Sequence, residues 1–148
     1  MTRIGIKTPP YTYSAQFEAL IAALVENGKG VIDFITACNT LGGALHFFPS
    51  SISSPPQQEP GFLLGGLSGP GLHNIALGNV YTLRKMLDEN GMTEIGIIGV
   101  GGVSDKGGFE RMRKAGADVV GIGVGLGVQM EFLGAEEGVQ KAFEGLVG

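Results

Sequence analysis

Clusters of lysine and arginine are missing from this chain of 148 residues, whose 10 basic and 14 acidic residues leave a formal net charge of −4. Binding to a nucleic-acid backbone draws on concentrated positive charge, so nucleic acid is excluded as a main partner. Long apolar runs are missing too: the longest, residues 19–25 and 119–128, fall well short of the roughly 20 residues that span a bilayer. The N-terminus lacks the basic-then-apolar order of a secretory signal, and no membrane partner is expected. A second cysteine is absent, which rules out an internal disulfide and suits a reducing, cytoplasmic setting. The two histidines, His46 and His73, stand apart from any ligand-spaced pattern, so no metal site is expected.

What is present is apolar residues and glycine. With 43% hydrophobic and 16% charged residues and a mean hydropathy of +0.24, the chain is too apolar for disorder and requires a core. Its 27 glycines gather behind strand-like runs, where positive φ or close approach to a ligand calls for them. Four cassettes stand in order: Gly5-Ile6-Lys7-Thr8-Pro9-Pro10-Tyr11, Ala37-Cys38-Asn39-Thr40, Gly99-Val100-Gly101-Gly102 and Gly121-Ile122-Gly123-Val124-Gly125. Each ends an apolar run with residues suited to binding rather than packing, as on the active side of a (β/α) barrel. A closed eight-stranded barrel takes about 250 residues. The expected fold is therefore α/β, half of a TIM-type barrel: about four parallel βα units with a long excursion after the second strand.

Along the chain, residues 3–7 predict a strand, ended by prolines that cannot continue a ladder. Ser14 is the expected N-cap of a helix over 15–26, stopped by Asn27-Gly28. A second strand is expected over 31–36. The segment 41–74, with five prolines, reads as a β-hairpin-like excursion over the site. A helix beginning near Asn74 runs to Asn90-Gly91. The near-continuous apolar run 95–100 predicts a strand buried on both faces. Asp105 caps a helix over 106–114, residues 119–123 predict the fourth strand, and a terminal helix is expected over 135–146. Short turns between alternating strands and helices imply right-handed parallel units.

The last two glycine clusters lie one βα unit apart, where a barrel's final loops offer backbone N–H groups to a phosphate. Neither fits the G-x-G-x-x-G dinucleotide pattern, because positions 104 and 126 are Ser and Leu. Lys7 ends a buried strand just before a double proline. It reads either as a solvated strand-end charge or as a cation facing a central ligand, such as the N1/O2 edge of a reduced flavin. Asn39 offers donor and acceptor and Thr40 a hydroxyl, which suits a planar ligand with alternating amide groups.

Taken together, Gly5-Ile6-Lys7-Thr8-Pro9-Pro10-Tyr11, Cys38-Asn39-Thr40-Leu41-Gly42, Gly65-Gly66-Leu67-Ser68-Gly69 and the two later glycine turns resemble the C-terminal half of the dihydroorotate dehydrogenases. The K-x-P-P-Y form resembles the soluble, fumarate-using class. The resemblance implies a βα-barrel with flavin mononucleotide (FMN) across its mouth, oxidising dihydroorotate to orotate in pyrimidine synthesis. It implies that Lys7 meets the isoalloxazine ring, that Cys38 lines the flavin, and that Asn39 and Thr40 bond orotate. Ser68 and Gly69 would lie along the ribityl side, and Gly101, Gly102, Gly123 and Val124 would form the phosphate cradle. Val124 stands where the soluble class usually has Thr, leaving only an N–H there.

The family's general base, a Cys or Ser on a loop, and its N-terminal Lys and Asn contacts to orotate belong to the first half of the barrel. No catalytic base is therefore expected within this chain. The expectation is one domain over 1–148 that supplies the cradle and part of the orotate site. Proton removal would come from a base outside the chain, with hydride passing to flavin N5. Fumarate would be the electron acceptor. A missing N-terminal half-barrel or a second copy in a homodimer would complete the barrel. Two other readings stay open: a non-catalytic FMN or phosphate-binding half-barrel, and an inactive truncated product.

Overall fold

Four short parallel strands form the centre of the computed structural model, which describes residues 2–47 and 62–123 together with Glu144. They are β1 (Gly5–Lys7), β2 (Phe34–Ala37), β5 (Gly96–Val100) and β6 (Val119–Gly121), hydrogen-bonded in that order. The register runs Lys7 to Thr36, Thr36 to Ile98 and Val100 to Gly121, so the C-terminal ends of all four strands lie along one edge. A separate antiparallel hairpin, β3 (Leu41–Phe47) with β4 (Phe62–Leu67), leaves that edge after β2. The arrangement is an open segment of a βα-barrel, as expected, and the excursion is a hairpin.

Three helices cover one face of the sheet: α1 (Ser14–Ala23), α2 (Pro70–Glu89) and α3 (Lys106–Lys114). On α2 the buried residues Leu72, Ala76, Val80, Leu83 and Leu87 recur at spacings of three and four, forming the apolar stripe that meets the strands. Ile35 and Ile97 rise from β2 and β5 into this layer, where Met92, Ile95 and Met112 complete the core. Alternation along the strands does the sorting: Ile35, Ala37, Ile97 and Gly99 are buried, whereas Phe34, Thr36, Gly96, Ile98 and Val100 are only half-buried on the other face. No helix among the described residues covers that second face.

Several boundaries differ from expectation, each for a local reason. Tyr13, not Ser14, is the N-cap of α1. It makes no side-chain cap bond, and instead Gln16 Oε1 accepts from Thr12 N–H at 2.8 Å. That helix continues as a π-helical turn over Leu24–Gly28, and the Gly28 carbonyl accepts from Val31 and Ile32, which delays β2 to Phe34. Helix α2 starts at Pro70 rather than near Asn74, because a first-turn proline has no N–H to waste. By contrast, α3 spans the expected residues, and Asp105 Oδ1 accepts from Gly108 N–H at 2.6 Å. The expected terminal helix over 135–146 lies outside the described residues, as does the middle of the hairpin excursion.

Candidate functional site

The C-terminal edge of the sheet carries a cleft of about 170 Å³ lined by Lys7, Cys38, Asn39, Thr40, Ser68, Gly69, Gly101, Gly102 and Gly123, together with Leu72, Val100, Val103 and Gly121. These side chains and glycines come from the ends of four strands and from the start of α2. Every binding residue expected from the sequence is present in this one cleft except Val124, which lies outside the described residues.

Backbone bonds fix the loops that meet there. Thr8 N–H donates to Thr36 O at 3.0 Å, Asn39 N–H to Thr8 O at 2.9 Å and Cys38 N–H to Val100 O at 3.0 Å. The first three cassettes are thus tied to each other directly, while the Asn39 and Thr40 side chains stay exposed. Lys7 is also exposed, on the uncovered face of β1. Its charge reaches the Cys38 thiol: burial pushes that thiol up to about 11, and Lys7 acts in the opposite direction. A thiol so placed is protonated at neutral pH and is no base or nucleophile.

The glycines divide into two kinds. Gly101 (φ +144°) and Gly102 (φ +65°) adopt backbone conformations that side chains rarely take, and a Cβ on Gly101 would lie 2.5 Å from Ala76 Cβ. Gly69, at φ +66°, turns the chain into α2. The positive end of that helix therefore begins beside the cleft, next to Ser68. Gly99 does not take positive φ and is required by packing alone. Its Cβ would lie 2.6 Å from Met112 Cγ, on the helix side of the sheet. A Cβ on Gly123 would meet nothing within 4 Å among the described residues.

Three polar residues that the sequence pattern does not assign to the site hold this edge. Asn79 is buried in α2, where its Oδ1 accepts from Tyr11 N–H at 2.8 Å and its Nδ2 donates to Tyr11 O at 3.0 Å. It clamps the loop after β1 and also donates to Ile75 O at 2.9 Å. His73, buried one layer behind the cleft, bonds the Gly101 carbonyl, and Arg111 of α3 bonds His73. The only hint of Asn79 in the sequence is a polar residue beside the apolar stripe of a helix. Among the described residues no group of His, Cys, Asp and Glu is arranged to hold a metal, and no helix is long and apolar enough to cross a membrane.

Comparison with known proteins adds a family to this geometry. Residues 2–135 match the dihydroorotate dehydrogenase family profile. The catalytic subunit of dihydroorotate dehydrogenase B (NAD(+)) from Thermotoga petrophila is 39% identical over 94 residues, which is 64% of this chain and 29% of that protein. The dihydroorotate dehydrogenase (fumarate) of Trypanosoma brucei brucei is 34% identical over 124 residues, 82% of this chain and 36% of that one. The fold is shared with the crystal structure of DHODH from Eimeria tenella in complex with ferulenol, with TM-score 0.64 and 22% identity over 97% of this chain and 32% of that chain. The chain thus spans about a third of the length of these relatives. With nearly its whole length matched in order, and with its strand-end cassettes gathered at one edge of a partial βα-barrel, the chain belongs to the dihydroorotate dehydrogenase family.

Proposed function

We propose that residues 1–148 act as one unit of a cytoplasmic flavoenzyme that oxidises dihydroorotate to orotate in pyrimidine synthesis, supplying the FMN phosphate cradle and part of the orotate site. The observation that carries this reading is the convergence of Lys7, Cys38, Asn39, Thr40, Ser68, Gly69, Gly101, Gly102 and Gly123 on one cleft. The residues suit the group. Two consecutive glycines at positive φ bring bare backbone to the cleft, where a phosphate can approach N–H groups closely. Lys7 adds a cation, and the neutral Cys38 thiol adds no competing negative charge. Val124 would complete the cradle through its N–H.

When bound, FMN supplies the hydride acceptor. The chain's own residues bind and orient: Lys7 holds positive charge at the ring side, Ser68 and Gly69 line the ribityl side, and the Asn39 amide and Thr40 hydroxyl address orotate. Proton removal falls to a base outside this chain, and the Cys38 thiol, which holds its proton, does not take that role. Small-ligand pockets commonly enclose about 300–1,000 Å³, so a cleft of about 170 Å³ forms part of the wall and a further half-barrel forms the rest. A free, buried cysteine suits a reducing cytoplasm. Relatives of both fumarate and NAD(+) type match the chain, and the K-x-P-P-Y form of residues 7–11 favours fumarate as acceptor.

Titration of the purified chain with FMN, read by flavin fluorescence, is expected to give weak saturable binding. Absence of saturation at millimolar FMN would overturn the cradle. Steady oxidation of dihydroorotate by the chain alone is not expected, because general base catalysis is worth about 10²–10⁴-fold. Turnover without a partner would show that the base has been misplaced.

A further inference from the structure

His73 lies in the first turn and a half of α2, 7% exposed, with both ring nitrogens engaged. Arg111 Nε–H donates to His73 Nε2 at 3.2 Å. A guanidinium has only donors to give, so Nε2 must present its lone pair. In a neutral ring the proton then sits on Nδ1, which is 2.8 Å from the Gly101 carbonyl oxygen and donates to it. Arg111 therefore selects the tautomer, and the tautomer captures one carbonyl.

That carbonyl belongs to the peptide joining Gly101 to Gly102. The only cis peptide among the described residues is Ala37–Cys38, so this unit is trans and planar, with its C=O and N–H directed oppositely. Drawing the Gly101 carbonyl back toward α2 turns the Gly102 N–H the other way, toward the cleft that Gly102 lines and His73 does not. Among the described residues nothing accepts from that N–H. Two adjacent glycines have wide conformational freedom, and no side chain of their own holds the peptide plane. The restraint has to come from outside the loop.

We infer that His73 is a positioning residue that aims the Gly102 N–H at a phosphate, with Arg111 fixing its tautomer. This rests on the reading of the cleft as an FMN phosphate cradle. The role makes a distinction that general destabilisation does not: it acts on the phosphate and leaves the flavin ring alone. The affinity of the chain for FMN relative to riboflavin, which lacks the phosphate, isolates that contribution.

The wild-type chain is expected to prefer FMN. His73→Leu is expected to lose about tenfold of that preference, the scale of one hydrogen bond to a charged group, with riboflavin affinity unchanged. In His73→Asn the amide nitrogen replaces Nδ1 and the preference returns, whereas His73→Gln places its amide at the Nε2 position and does not restore it. Equal affinity of the wild type for FMN and riboflavin would overturn the cradle and this role together. A wild-type preference that survives in His73→Leu, or is restored equally by Asn and Gln, would overturn the role of His73 alone. Independently of any substitution, ¹⁵N spectra of the wild-type imidazole are expected to show a protonated Nδ1 and a bare Nε2. The opposite tautomer would overturn the inference even if the Leu variant fails to fold.

Discussion

Cys38 and Asn79 show how single buried groups set measurable behaviour at this site. The unfolded Cys38 thiol titrates at its ordinary value of 9.0, whereas burial keeps the folded thiol protonated up to about 11. Between those values the unfolded chain releases a proton that the folded chain retains, so this group's contribution to stability is full below pH 9 and is lost as pH rises. The decline attributable to this group is on the order of 1–2 kcal/mol by pH 11, after allowance for solvent screening. Urea unfolding from pH 8 to 11 is expected to show this slope in the wild type and a shallower one in Cys38→Ala. Lys7→Ala should move the thiol's titration, followed by thiolate ultraviolet absorbance, further up; an unchanged titration would separate the two side chains. Asn79→Ala removes both partners of the Tyr11 backbone. A loss of about 2–3 kcal/mol is expected, from the bonds themselves and the polar groups left unmatched, with thermal unfolding as the check.

At the scale of the element, a glycine's part in the fold depends on what a side chain there would meet. Gly99 alternates onto the helix side of β5, and its Cβ would press on Met112 and lie 2.9 Å from Ala117 Cβ. Met112 can bend away, but Ala117 has nothing flexible to yield. Gly99→Ala is therefore expected to cost about 1–3 kcal/mol by overpacking the β5–α3 contact. Gly123→Ala meets nothing within 4 Å among the described residues and should change stability by less than about 0.5 kcal/mol. Chemical denaturation of the two variants side by side tests the division, and equal costs would refute it. Gly99, Gly101 and Gly102 stand in one cassette, and spacing does not reveal that Gly101 and Gly102 take positive φ whereas Gly99 is required by packing alone. Sequence reasoning placed α3 correctly because Asp105 caps locally, and it started α2 too late because Pro70 reads as a breaker until the turn at Gly69 makes it a first-turn residue.

For the whole molecule, the sheet has one covered face and one uncovered. β1 and β6 are its outer strands, and no further strand pairs with either among the described residues. Unpaired strand edges are templates for association. Ile4 and Val119, both about half exposed at the two sides of the sheet, add apolar surface. The purified chain is expected to self-associate with rising concentration in sedimentation velocity. Co-expression with a complementary N-terminal half-barrel should suppress that association and tighten FMN binding in the same sample. A monomer at all concentrations, unaffected by such a partner, would show that the edges are not sites of completion.

The sequence by itself determined the alternation of strands and helices, the absence of nucleic-acid and bilayer-spanning signals, and the residues that end each strand. Those are properties of neighbouring residues: hydrophobic periodicity, proline's missing N–H, a capping carboxylate and the charge balance. That Lys7, Asn39 and Gly101 share one cleft follows from parallel topology, because parallel strands present all their C-terminal ends on one edge, whereas Ser68 is brought there by the return of the antiparallel hairpin. Only the tertiary structure decided that Asn79 reaches the loop after β1 and that Arg111 holds His73 against Gly101. Those choices depend on contacts between residues 28 to 68 positions apart. No local propensity encodes them, since the same side chains would be equally at home in solvent until packing removes the water and leaves each buried polar group one partner to find.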